Sequence, residues 1–165
     1  MRIEYHRTLI ADKARNEALF AALERVIVKG KTVVADIGAG SGLLGLMASK
    51  LGAKEVHLYE ASEEVAAVAA GVLKQNRARN CHLYPCRSTD MIDAPQVDVI
   101  ISETLGNYAL EENILETLAD ALERMLKPGG TVIPARIRQF ACPVTSPRLA
   151  REMDAWRDVG HGLDL

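Results

Sequence analysis

Cysteine is scarce in this chain, and its count is odd. Cys81, Cys86 and Cys142 form no Cys-x-x-Cys, and the four histidines are scattered. No metal site is indicated. Unpaired thiols suit a reducing compartment. No apolar run approaches the roughly 20 residues that cross a bilayer, so no membrane partner is expected. Residues 1–7 lack the apolar centre of a signal peptide, and a cytoplasmic location is expected. Neither sign of charge dominates: 20 Lys and Arg stand against 22 Asp and Glu, for a net charge of -2. Nothing global therefore points to nucleic acid. One basic cluster, Lys74, Arg77, Arg79 and Arg87, reads as a solvated helix end, because helix C-termini favour cations. Repeats and low-complexity linkers are also lacking.

What is present is a chain of 165 residues, 48% hydrophobic, long enough for one domain with a core. Helical spacing of apolar residues runs over 9–28, with Gly30 as a stop. Short apolar runs predict strands at 32–37, 55–60, 97–102 and 131–133, with a weaker one at 82–85. Helices are predicted at 43–51, at 62–78 behind a Ser62 cap, and at 113–127, ended by Pro128-Gly129-Gly130. This alternation predicts an α/β fold: a doubly wound, mostly parallel sheet covered on both faces. A ligand belongs at the carboxyl ends of the strands, beside the first. After Pro134 the pattern changes. Residues 136–144 alternate loosely, like a strand of another layer. Residues 147–157 suit a short helix burying Leu149, Met153 and Trp156.

The strand at 32–37 runs into Asp36-Ile37-Gly38-Ala39-Gly40-Ser41-Gly42. Glycines there let the backbone turn tightly and approach a ligand. Glu60 ends the next strand, where a carboxylate can accept from both ribose hydroxyls. A ribose-bearing cofactor follows. A dinucleotide is one reading, since Gly40-Ser41-Gly42-Leu43-Leu44-Gly45 fits G-x-G-x-x-G with Glu60 some way on. However, that match begins two residues late, and Asp36 leads the turn. A carboxylate disfavours a pyrophosphate and suits the amino group of S-adenosyl-L-methionine.

The stretch after the strand at 97–102 holds Glu103 and Glu112, nine residues apart. Two carboxylates on one loop can clamp a planar forked cation such as guanidinium. They would concentrate its charge on two nitrogens and leave electron density on the third. One could also take the released proton. Glu112 has a plainer reading as an acid opening the helix at 113, where the dipole favours it. Glu103, at a strand's carboxyl end, is harder to explain structurally. Glu112, Glu116, Asp120 and Glu123 read as a solvated helix face.

Several segments together resemble the protein arginine methyltransferases. The glycine turn is similar to their Val-Leu-Asp-x-Gly-x-Gly-x-Gly signature. The stretch from Glu103 to Glu112 looks like their double-glutamate loop. His6, Asp12 and Arg15 reproduce their His-x5-Asp-x2-Arg helix. The resemblance implies a Rossmann-like class I methyltransferase fold and S-adenosyl-L-methionine as cofactor. It implies arginine-bearing protein as substrate, with Glu103 and Glu112 catalytic. Arg15 would pair with the cofactor's methionine carboxylate, His6 would close over it, and Glu60 would hold the ribose. Ser88, Thr89 or Asp90 would lie near the adenine. Asp36, Gly38, Gly40 and Gly42 complete the cofactor set. The chain departs from the pattern at Thr104, Leu105 and Asn107, where the family carries Trp, Met and Tyr, and at Leu9, where Met is common. The expected organisation is an N-terminal helical segment at 1–30, a cofactor domain at 31–135, and the start of a barrel-like domain at 136–165. The alternatives are a methyltransferase for a small amine or guanidine or for RNA, or an inactive cofactor-binding interaction module.

Overall fold

In the computed structural model, residues 3–106, 113–155 and 159–163 are described. The first strand, β1 (Val33–Ile37), is buried at all five positions, as befits a strand covered on both faces. β2 (Glu55–Tyr59), β3 (Cys81–Tyr84), β4 (Val97–Ser102) and β5 (Leu126–Ile133) complete the sheet. All five run parallel, in the order β3-β2-β1-β4-β5. The order reverses at β1, which pairs with β2 on one side and β4 on the other. A crevice therefore opens at the carboxyl ends of β1 and β4.

Among the described residues six helices accompany the strands: α1 (Ile3–Ala11), α2 (Lys13–Val26), α3 (Leu43–Lys50), α4 (Glu63–Gln75), α5 (Ile114–Arg124) and α6 (Pro147–Asp154). On one face, Val34, Val56, Leu58, Val99 and Ile101 lie in a cluster with Leu23 of α2, Leu44 and Ala48 of α3 and Leu73 of α4. On the other, Val33, Ala35, Ile37, Tyr59 and Ile100 cluster with Ala121 of α5 and its C-terminal cap Met125. The predicted doubly wound α/β architecture is the one observed.

Four local expectations are corrected. The helix predicted over 9–28 is two helices that meet at Asp12. The Asp12 carboxylate accepts from Arg15 N at 3.0 Å and caps α2. The helix predicted over 113–127 stops at Arg124. Val97 N then donates to Met125 O at 2.8 Å, drawing the chain into the sheet, and Pro128-Gly129-Gly130 lies within β5. A register shift between Val97 and Val99 absorbs the extra residues. Residues 135–146 form neither helix nor strand, and Phe140 is 89% exposed. Alternation alone makes no strand without a neighbour to share its backbone hydrogen bonds. α6 leaves Leu149 and Met153 exposed rather than buried, while Trp156 lies outside the described residues. Among the described residues no helix is long and apolar enough to cross a membrane.

Candidate active site

At the end of β1 the chain must turn at once into α3 beneath whatever sits above it. Gly38 and Gly40 take positive φ of 71° and 55°. A Cβ on Gly40 would stand 2.6 Å from the His6 ring, and one on Gly38 would collide with the Thr104 methyl. The turn is pinned from below, because Gly38 N and Ala39 N both donate to Tyr59 O at 2.9 Å. Glu60, the residue after β2, reaches across it. One carboxylate oxygen accepts from Gly40 N at 2.8 Å and the other from Ser62 N at 2.9 Å. Each oxygen retains acceptor capacity.

A cavity of about 360 Å³ opens over this turn. His6, Arg15, Gly38, Gly40, Glu60 and Glu103 all line it. The break at Asp12 explains how His6 and Arg15, about 2.5 helical turns apart, reach one space. Asn16 Nδ2 secures that break by donating to Leu9 O at 3.2 Å and Ile10 O at 2.9 Å. Glu103 follows directly on β4. Its carboxylate forms an ion pair with the Arg15 guanidinium, both groups being largely buried. Arg15 also donates to Asn16 Oδ1 at 2.8 Å. The strand end behind Glu103 is fixed by buried Ser102, whose hydroxyl donates to Ile37 O at 3.0 Å and lies 3.1 Å from the Thr104 hydroxyl.

A second, smaller cavity of about 110 Å³ adjoins the first and shares Gly38, Ala61 and Thr104 with it. Tyr59, Cys86, Ser88 and Thr117 are among its other lining residues. The Tyr59 and Ser88 hydroxyls are buried and find no partner among the described residues. Burial also pushes the Tyr59 phenol well above its ordinary range.

The remaining candidates lie elsewhere. Asp36 is 1% exposed and does not line the cavity; its carboxylate turns beneath the glycine turn and accepts from Gly45 N at 2.8 Å. Gly42 opens α3 and faces the Leu58 side chain. Thr89 sits in a 3-10 turn, Ser88–Asp90, and its hydroxyl donates to Asp90 at 3.4 Å. Glu112 lies outside the described residues. Sequence reasoning missed Tyr59, Cys86 and Thr117. Only Thr117 carried a legible hint, a hydroxyl early in an amphipathic helix that follows a site loop.

The fold is that of the methyltransferases. Residues 17–138 match the family model of ribosomal protein L11 methyltransferase (PrmA), and the chain belongs to that family. More particularly, it is a homologue of the protein arginine N-methyltransferases. It is 35% identical over 164 residues to the probable protein arginine N-methyltransferase 6 of Arabidopsis thaliana, across 97% of this chain and 37% of that protein. It is 33% identical over 168 residues to protein arginine N-methyltransferase 6 of Xenopus tropicalis, across 99% of this chain and 49% of that one. The solved Trypanosoma brucei PRMT1 enzyme-prozyme heterotetrameric complex with AdoHcy matches with a TM-score of 0.80 at 25% identity, across 99% of this chain and 52% of its own. The chain thus spans less than half the length of these two sequence relatives.

Proposed function

We propose that this chain is the cofactor-binding and catalytic part of an S-adenosyl-L-methionine-dependent N-methyltransferase acting on the guanidinium of protein-borne arginine. One observation carries the reading. The Glu103 carboxylate, at the switch point of the sheet and above the glycine turn, holds a guanidinium, that of Arg15.

The residues fit the cofactor. A Cβ on Gly40 would collide with the His6 ring that lies over the turn, and the smaller cavity presents two buried, unpartnered hydroxyls. Arg15 would hold the methionine carboxylate, Glu60 the ribose hydroxyls, and the Ser88 cavity the adenine. His6 would cover the glycine turn. Asp36 supports the turn from beneath, through Gly45. Bound there, S-adenosyl-L-methionine supplies an electrophilic methyl group on a sulfonium.

The chain's own part is to bind and orient the nucleophile. Guanidinium has a pKa above ~12, so it arrives charged. Glu103, with Glu112 as the second member of the pair, draws the positive charge onto two nitrogens and aims the third. A carboxylate of the pair accepts the proton that leaves with bond formation. Arg15 must divide its fork between Glu103 and the cofactor carboxylate, which links cofactor binding to the state of Glu103.

Glu103→Gln in the full natural protein tests this. Turnover of arginine peptides should be lost, while affinity for S-adenosylhomocysteine stays level or rises as Arg15 is released. Calorimetry and methyl transfer from labelled donor would be measured on the same samples, with small guanidines and RNA as further acceptors. Normal arginine turnover by the variant would end the carboxylate-clamp reading. Transfer by the wild type to RNA or a small guanidine alone would reassign the substrate. Cofactor binding with no transfer to any acceptor would favour an interaction module.

A further inference from the structure

Between β3 and β4 the chain crosses residues 85–96 with a single 3-10 turn and no covering helix. Yet this loop supplies Cys86 and Ser88 to the smaller cavity, while the opposite wall includes Thr117 of α5. Something must set the distance between them. Arg124, at the end of α5, is placed to do so. Its Nε and one Nη donate to the two oxygens of Asp120, each at 2.7 Å. The same Nη donates to Ser88 O at 3.0 Å, and the other to Met91 O at 2.8 Å. Gln96 Nε2 returns a bond to Arg124 O at 2.8 Å. The guanidinium thus uses four of its five N–H groups to fasten one loop to one helix.

The helix geometry makes this a shared frame. Thr117, Asp120 and Arg124 are spaced i, i+3, i+7 and lie on one face of α5. That face therefore carries a cavity wall at its start and the anchor of the facing wall at its end. Arg124 does not itself line the cavity.

We propose that Arg124, braced by Asp120, is a positioning residue that fixes the loop wall of the smaller cavity against α5, and so sets the seat of the cofactor's nucleobase. The nucleobase part rests on the function proposed above; the loop anchorage does not. Lysine would not substitute, since a point charge cannot meet a carboxylate fork and two carbonyls in one plane.

The experiment compares wild type, Arg124→Gln, Arg124→Lys and Asp120→Asn. Two ligands are titrated: S-adenosylhomocysteine, and S-ribosylhomocysteine, which lacks the base. Amide hydrogen exchange of residues 86–92 is followed without ligand. Arg124→Gln should raise the dissociation constant for S-adenosylhomocysteine about tenfold and leave that for S-ribosylhomocysteine unchanged. Exchange at 86–92 should quicken while β1 and β4 stay protected. Arg124→Lys should resemble Arg124→Gln, and Asp120→Asn should move both readouts less, in the same direction. Equal weakening of both ligands, or unchanged exchange at 86–92, would overturn the proposal. A wild type that binds neither nucleoside would sink the function reading, and the exchange arm would still decide whether Arg124 anchors the loop.

Discussion

At the scale of single residues, Asp36 shows how position alters a carboxylate's work. The sequence puts it at the head of the glycine turn, where it suits an ammonium. The fold turns it inward to Gly45 N, with 1% of its surface exposed. Burial, opposed by the Gly45 hydrogen bond and reinforced by the charge of Glu60, raises its pKa from 3.8 to about 7. Between those values the folded chain keeps a proton that the unfolded chain has lost. Stability should therefore fall as pH rises from about 4 to about 7. Three pKa units correspond to at most roughly 4 kcal/mol. Asp36→Asn keeps an acceptor for Gly45 N and cannot ionise, so it should flatten this dependence. Urea denaturation of both proteins at pH 4.5 and pH 7.5 would measure it. A stability gap between them that stays constant across that range would show that the Asp36 charge is compensated in the fold.

At the scale of elements, the join between α1 and α2 decides whether two distant side chains share a cavity. Apolar spacing runs unbroken from Leu9 through Ala14 and Ala18, so periodicity reads one helix there. The cap is visible only as a lone Asp12, which also suits a helix interior facing solvent. What makes the break stable is tertiary: Asn16 reaches back to the last carbonyls of α1. Asn16→Ala should strip those carbonyls of their donor at a cost of about 1 kcal/mol. It should loosen α1 from α2, weakening S-adenosylhomocysteine several-fold while the thermal midpoint moves little. An unchanged affinity would mean that His6 does not depend on the join. The same contrast governs the rest of the site. Glu60 and Glu103 were legible because each directly follows a contiguous buried strand, where the fold class places ligands. Ser88, Tyr59 and Thr117 come from a loop, a strand face and a helix that meet only on folding, and no periodicity marks them. β5 was legible at Thr131-Val132-Ile133 but not at its start, because Pro128 and two glycines read as punctuation.

At the scale of the whole molecule, the core and the site lean on the same residue. Leu58 is fully buried in β2, one residue before its end. A Cβ on Gly45 would approach its Cδ2 to 2.5 Å, and one on Gly42 to 3.5 Å. Leu58 thus fills the space against which the glycine turn and α3 are pressed. Leu58→Ala should cost about 2–5 kcal/mol, from lost transfer energy and the cavity left behind. It should also weaken S-adenosylhomocysteine, because α3 can settle inward and carry the turn with it. Phe140 is larger but 89% exposed, in the stretch that follows the sheet without helix or strand. Phe140→Ala should change stability by no more than about 0.5 kcal/mol and leave ligand affinity unaltered. Chemical denaturation of the three proteins, with and without saturating S-adenosylhomocysteine, would separate the two effects. Ligand binding stabilises the native state according to its affinity. The stabilisation gained on adding ligand should therefore shrink in Leu58→Ala and match wild type in Phe140→Ala. Should Leu58→Ala lose stability yet gain as much from ligand as wild type, the glycine turn would be held by its hydrogen bonds to Tyr59 O and Glu60 rather than by the packing beneath it.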